Sequence, residues 1–349
     1  MNKKNYTLRE SALTYIFVLL ALFCASLLVM NLVSTVAQST GQDINVVVNE
    51  NWVKYINIAS APIALFFVYL VFNFTTKTDF KTATRLKVKF DIKICLGTII
   101  LAVITILACV NATSLFNYIF GLREATSSVG IPLDSFWQFL LAVLLLAVLP
   151  AIVEELIFRG IIFNGLRQKF SAIVSIVLSG AMFSLFHLSI YNTFFQFILG
   201  VVLAWLVHYT GSIVYSMIYH FANNFTIVLI SYLSKGASIF EFGAWGVKEV
   251  LLTILFFIVG MLVVYLFFRI LKSYANKHKK YFGYEINNKP LEALPVEQSE
   301  QQEIDNEVLS DYDKRLINNN NDSKDKFWLF ISILAAVVIW SFSSFGGFI

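Results

Sequence analysis

An all-α polytopic membrane protein, with about eight core transmembrane helices and a ninth C-terminal span, is predicted by three observations. Hydrophobic residues make up 58% of the 349 positions and charged residues only 14%, where a soluble domain carries about a quarter charged. Apolar runs long enough to cross a bilayer recur along the chain, and basic residues gather in particular loops between them. This composition excludes a soluble globular enzyme, and a net charge of +4 gives no reason to expect a nucleic-acid partner. Cys24, Cys95 and Cys109 are scattered without CxxC or zinc-finger spacing, so they read as packing residues.

Taken in order, the N-terminus is short and basic, with Lys3, Lys4 and Arg9, and the run from Leu13 to Val36 exceeds a signal-peptide core, so it reads as a retained first span. A second span covers Ile56 to Phe74. Lys77, Lys81, Arg85, Lys87, Lys89 and Lys93 then form the most basic loop of the membrane portion, which the positive-inside rule puts in the cytoplasm together with the N-terminus. A third span runs from Ile94 to Val110, and the charge-poor loop Asn111 to Ser135 falls outside. The fourth starts at Phe136, passes Pro150 and ends at either Arg159 or Arg167. Spans follow at Ser171–Leu188, Tyr191–Tyr209, Gly211–Leu233 and Glu249–Leu271.

Beyond Leu271 the chain turns basic, with Lys272, Lys277, Lys279 and Lys280, then acidic and asparagine-rich, before a last apolar run from Phe327 to Ile349. The domain organisation expected is therefore an N-terminal transmembrane region over 1–135 (spans one to three), a core over 136–233 (spans four to seven), an eighth span over 234–271, a disordered cytoplasmic linker over 272–326 and a terminal span over 327–349. No internal repeat is evident, which weighs against inverted-repeat transporters.

Ionisable groups inside such spans are expensive, so they mark the candidate site. Glu155 and Arg159 are four apart and share a helix face, whereas Glu154 is rotated by roughly 100°. Arg159 is then expected to hold Glu155, leaving Glu154 free as a general base. Depth favours the longer fourth span. If it ends at Arg167 to Lys169, Glu154 lies roughly 20 Å in, His187 roughly 24 Å from Ser171, and His220 and Asn224 roughly 14 to 20 Å from Gly211. These groups then converge near mid-membrane. His220 and Asn224 share one face of the seventh span, as Phe183 and His187 share one of the fifth, and that face is suited to donating hydrogen bonds to a developing oxyanion. His208, His278 and Asn223 read as structural.

The same residues resemble the CPBP family of intramembrane proteases, which contains the CAAX prenyl endopeptidases and bacterial bacteriocin-processing and immunity proteins. The family pattern EExxxR, FxxxH, HxxxN stands here as Glu154-Glu155-x-x-x-Arg159, Phe183-x-x-x-His187 and His220-x-x-x-Asn224, in order, over about Phe136 to Leu233. The resemblance implies that Glu154 with His187 activates water, that Glu155 and Arg159 support it, and that His220 and Asn224 stabilise the oxyanion. The implied partners are the lipid bilayer and a peptide or prenylated protein substrate. The short loops and polar segments are similar to bacterial members, which implies a bacterial cell membrane as location. Glu154, His187 and His220 would also supply the ligands of a catalytic zinc. No HExxH is present and Asn224 is a poor zinc ligand, so ligand chemistry favours the metal-free form. The competing readings are a transporter that relays protons through the buried Glu and His residues, and a non-catalytic scaffold or immunity protein.

Overall fold

The structure, a computed structural model, describes residues 6–76, 86, 90–122, 131–235, 245–278, 289 and 322–345. The fold is all-α, and the described residues contain no strand. Seven helices are long and apolar enough to cross a membrane: α1 (Leu8–Thr40), α3 (Asn51–Thr76), α4 (Ile92–Ile119), α5 (Phe136–Lys169), α7 (Thr193–Thr210), α8 (Ile213–Leu233) and α9 (Val247–Lys277). Between them lie a short helix α2 (Ile44–Asn49) and the 15-residue α6 (Ala172–Phe186), and α10 (Asp322–Phe345) follows. The protein is an integral membrane protein.

Local signals account for most helix ends. Thr7 caps α1 with a full capping box to Glu10, and Gly41 closes it at φ 68°, a left-handed conformation that glycine adopts without a Cβ penalty. Gly211 ends α7 in the same way at φ 67°. Several boundaries differ from expectation: α1 and α3 begin at Leu8 and Asn51, ahead of Leu13 and Ile56, and α10 begins at Asp322, inside the expected linker. The third span continues to Ile119, nine residues past Val110, because Asn111 to Ile119 keep an apolar face against the bundle (Ala112, Leu115) while Asn117 finds a partner. α9 likewise carries on past Leu271 to Lys277. The basic residues 77–85, 87–89, 279 and 280 and the linker residues 281–288 and 290–321 lie outside the described residues, as do 346–349 of the terminal span.

The fourth span is the long form, running unbroken to Lys169 past Pro150. Two wider π-helical segments interrupt it, Val143–Val148 and Phe158–Ile162, on either side of Leu149–Ile157. Pro150 lacks the N–H that would bond the Leu146 carbonyl four residues back, so strain there is expected and the first wide segment takes it up.

Small residues set how closely the helices approach α5 and each other. A Cβ on Gly200 of α7 would lie 2.8 Å from the Gly180 Cα and 3.2 Å from the Phe183 Cβ, so α6 and α7 touch backbone to backbone. At Gly165 a Cβ would collide with Ser11 of α1, whose hydroxyl instead donates to the Ile161 carbonyl of α5 at 2.9 Å. Gly260 of α9 packs in the same manner on Ala108 of α4. At one end of the bundle, the Asp91 cap of α4 accepts from the Tyr274 hydroxyl of α9 at 2.7 Å, and its amide donates to Tyr215 of α8 at 2.8 Å. Burial opposes the Asp91 charge, but the Tyr274 hydroxyl, the Lys93 and Ile94 amides and the Lys93 charge together hold its carboxyl below the usual carboxylate range. The starts of α4 and α8 and the end of α9 therefore share one end of the bundle, as an alternating up-and-down path requires.

Candidate active site

The site is assembled around the α-helical turn between the two wide segments of α5. Glu155 and Arg159 face inward, and Arg159 Nη1 donates to Glu155 Oε1 at 2.7 Å with neither side chain exposed. A buried pair of this kind stands only if its remaining polar groups are also partnered. Arg159 Nη2 donates to the Gly200 carbonyl at 3.0 Å, and the guanidinium lies over the Phe183 ring, 4.6 Å from its centroid. The Gly180–Gly200 contact is what brings that carbonyl and Phe183 within reach. Phe183 of the second motif thus serves as a platform for the arginine of the first.

Glu155 Oε1 also meets His220 Nδ1 of α8 at 3.1 Å. A carboxylate only accepts, so Nδ1 carries the proton, and Nε2 is turned toward the neighbouring carboxylate, 3.9 Å from Glu154 Oε2. Glu154 is 8% exposed, and its Oε2 is buried with no hydrogen-bond partner among the described residues. The two adjacent glutamates therefore differ in their partners: Glu155 Oε1 is shared by Arg159 and His220, while Glu154 approaches only His220, and each keeps a buried Oε2 without a hydrogen-bond partner among the described residues.

His187 caps the C-terminus of α6, and its Nδ1 lies 2.8 Å from the Phe183 carbonyl, which again fixes the proton on Nδ1 and frees Nε2. Its ring stands edge-on to Phe183 at 4.7 Å, and Phe183 stands 5.8 Å from the His220 ring, so one phenyl group separates the two imidazoles. Asn224, also on α8, donates from Nδ2 to the Leu146 carbonyl at 2.8 Å and accepts from Asn223 Nδ2 at 3.0 Å. The carbonyl it takes lies four residues before Pro150, which has no N–H to offer it. Asn223, read from sequence as a packing group, is fully buried and bonded to Asn224.

The three motifs thus come to one place on α5, α6 and α8. Gly200 and the Leu146 carbonyl are the participants that sequence reasoning missed. The signal for Leu146 was present, four residues before Pro150, whereas nothing in the sequence marked Gly200. Residues 136–226, from the start of α5 into α8, match the type II CAAX prenyl endopeptidase Rce1-like family. They form an Rce1-like domain. The motif-based resemblance to CPBP proteases is borne out by that match, which also implies a peptide or protein substrate for the Rce1-like domain. No curated protein and no solved structure matches the chain.

A zinc ion would need Glu154, His187 and His220 to converge. Among the described residues no three His, Cys, Asp or Glu side chains are gathered closely enough to hold a metal. His220 Nδ1 is committed to Glu155 and His187 Nδ1 to Phe183, which leaves the two Nε2 atoms and the Glu154 carboxylate as the free members of that set. The arrangement as it stands does not fit the ion, and no step below runs through one.

Proposed function

We propose that the Rce1-like domain is an intramembrane endopeptidase in which Glu154 is the general base. The observation that carries this reading is the unpartnered Glu154 Oε2, buried beside the Glu155–Arg159–His220 network and 3.9 Å from His220 Nε2. Glu154 takes a proton from water as the water oxygen attacks the substrate carbonyl carbon. His187 Nε2, its only unused ring nitrogen, accepts a hydrogen bond from the same water and orients it. The oxyanion that forms accepts hydrogen bonds from the second Asn224 amide hydrogen and from His220. Collapse of the tetrahedral species breaks the C–N bond, and Glu154 returns its proton to the leaving amine. Arg159 stays outside these transfers and holds Glu155 in place.

The substrate is a membrane-associated peptide or a prenylated protein tail, reached from the cytoplasmic side of a bacterial cell membrane, with the N-terminus on that side. The test is cleavage of a fluorogenic peptide panel, farnesylated CaaX peptides included, by detergent-solubilised protein with and without chelator. Glu154→Gln and His187→Ala are each expected to lower kcat by about 10²- to 10⁴-fold, and chelator to leave the rate unchanged. Equal turnover by wild type and Glu154→Gln overturns the mechanism, and no turnover by either moves the reading to a scaffold or transporter. Chelator inhibition reversed by zinc overturns the metal-free form.

A further inference from the structure

α6 is too short to cross a bilayer. Its 15 residues span roughly 22 Å, against a hydrocarbon core of about 30 Å. The turn that follows, residues 187–192, therefore places irregular backbone within the apolar layer, where each unpartnered carbonyl costs several kcal/mol unless protein satisfies it. His187 is the first residue of that turn. Leu188, next to it, has φ 50°, a left-handed conformation that a branched side chain holds only when its surroundings enforce it.

The enforcing groups come from α10. Ser343 Oγ donates to the Leu188 carbonyl at 2.8 Å. Trp340 Nε1 donates to Thr193 Oγ1 at 3.1 Å, and that hydroxyl in turn donates to the Ser189 carbonyl at 2.6 Å. Ser184 of α6 donates to the Thr193 carbonyl at 2.7 Å, and Asn117 of α4 holds the Tyr191 carbonyl at 3.2 Å from the far side. α10 reaches this turn along one continuous stripe. Leu329, Ser332 and Ala336 are buried at helical spacing, and Trp340 and Ser343 continue the same face by steps of four and three residues. α10 packs along this region against α1 and α6.

We infer that Trp340 and Ser343 are positioning residues for His187: α10 clamps the 187–192 turn and so fixes where the His187 Nε2 atom points. The inference rests on the proposed role of His187 but is read out separately from it. A helix that begins only at Asp322, well beyond residue 226 where the Rce1-like match ends, then becomes part of the site's support.

The test uses the full chain in nanodiscs with Trp340→Phe, Ser343→Ala and the double variant, Ser343→Thr as the conservative rescue, and Phe330→Ala, 62% exposed on the same helix, as control. Amide exchange by mass spectrometry follows the segment 184–193 against 213–224. Loss of one clamp hydrogen bond is expected to accelerate exchange in 184–193 about tenfold, with 213–224 unchanged. The double variant is expected to lower kcat about tenfold with KM within about twofold, while Ser343→Thr and Phe330→Ala behave as wild type. Unchanged exchange in 184–193 in both single variants overturns the clamp, whether or not any peptide is cut. Faster exchange confined to 184–193 supports it even if wild type cleaves no peptide, in which case the protease reading alone fails. If the double variant does not fold, the single variants decide. Equal acceleration in 213–224 overturns the clamp as well, since it would show general loosening.

Discussion

Two helix pairs flank α5 and they are built differently. α6 and α7 close on each other through Gly180 and Gly200, and that contact places a backbone carbonyl and an aromatic face against Arg159. α1 and α3 leave between them an apolar groove of about 700 Å³ lined by residues such as Phe17, Cys24, Leu28, Ile63 and Phe67. Both pairs have similar composition, so apolar content does not explain the difference. What separates them is whether backbone must meet chemistry. Close packing appears where a charged group needs a fixed partner, and loose packing where neither helix presents one, since a lipid tail is as apolar as the side chains that line such a groove.

The comparison breaks hardest at the bridge between α5 and α7. Arg159→Leu strands the buried Glu155 carboxylate, and a destabilisation of about 3–5 kcal/mol is expected, measured as a fall in thermal unfolding midpoint together with loss of any peptidase activity. A variant that unfolds like wild type would show that the pair contributes nothing to the fold. Gly200→Val attacks the same place from the other side, driving a Cβ into the Gly180 backbone. It should cost about 1–3 kcal/mol and weaken the Arg159 contact with Gly200. At the loose pair, Leu28→Ala, with Leu28 72% exposed in the groove, should change stability by no more than about 0.5 kcal/mol. A larger loss there would mean that the groove is packed by something more specific than lipid.

Much of this was legible in the residues. The spacing of Glu155 and Arg159 gave their ion pair, and the depth argument gave a fourth span that reaches Lys169. What stayed hidden depended on contacts between helices. Hydropathy marks where a helix is apolar but not where it stops, so the extension of α4 to Ile119 escaped it. No pattern along α7 pairs Gly200 with Gly180, and a stripe of ordinary residues on α10 gives no sign of its role until Trp340 and Ser343 meet the 187–192 turn.

The two wide segments of α5 have a consequence for how this helix can change over time. Each holds one residue more than an α-turn would, so the nine residues Leu149–Ile157 are mounted between two places with slack. An ordinary helix that gains or loses a residue rotates everything beyond it by about 100°. Here a length change can be absorbed at either segment while Glu154 and Glu155 keep their phase. The paired carboxylates can thereby keep their phase when a single residue is lost from either wide segment, which returns that segment to α-helical spacing.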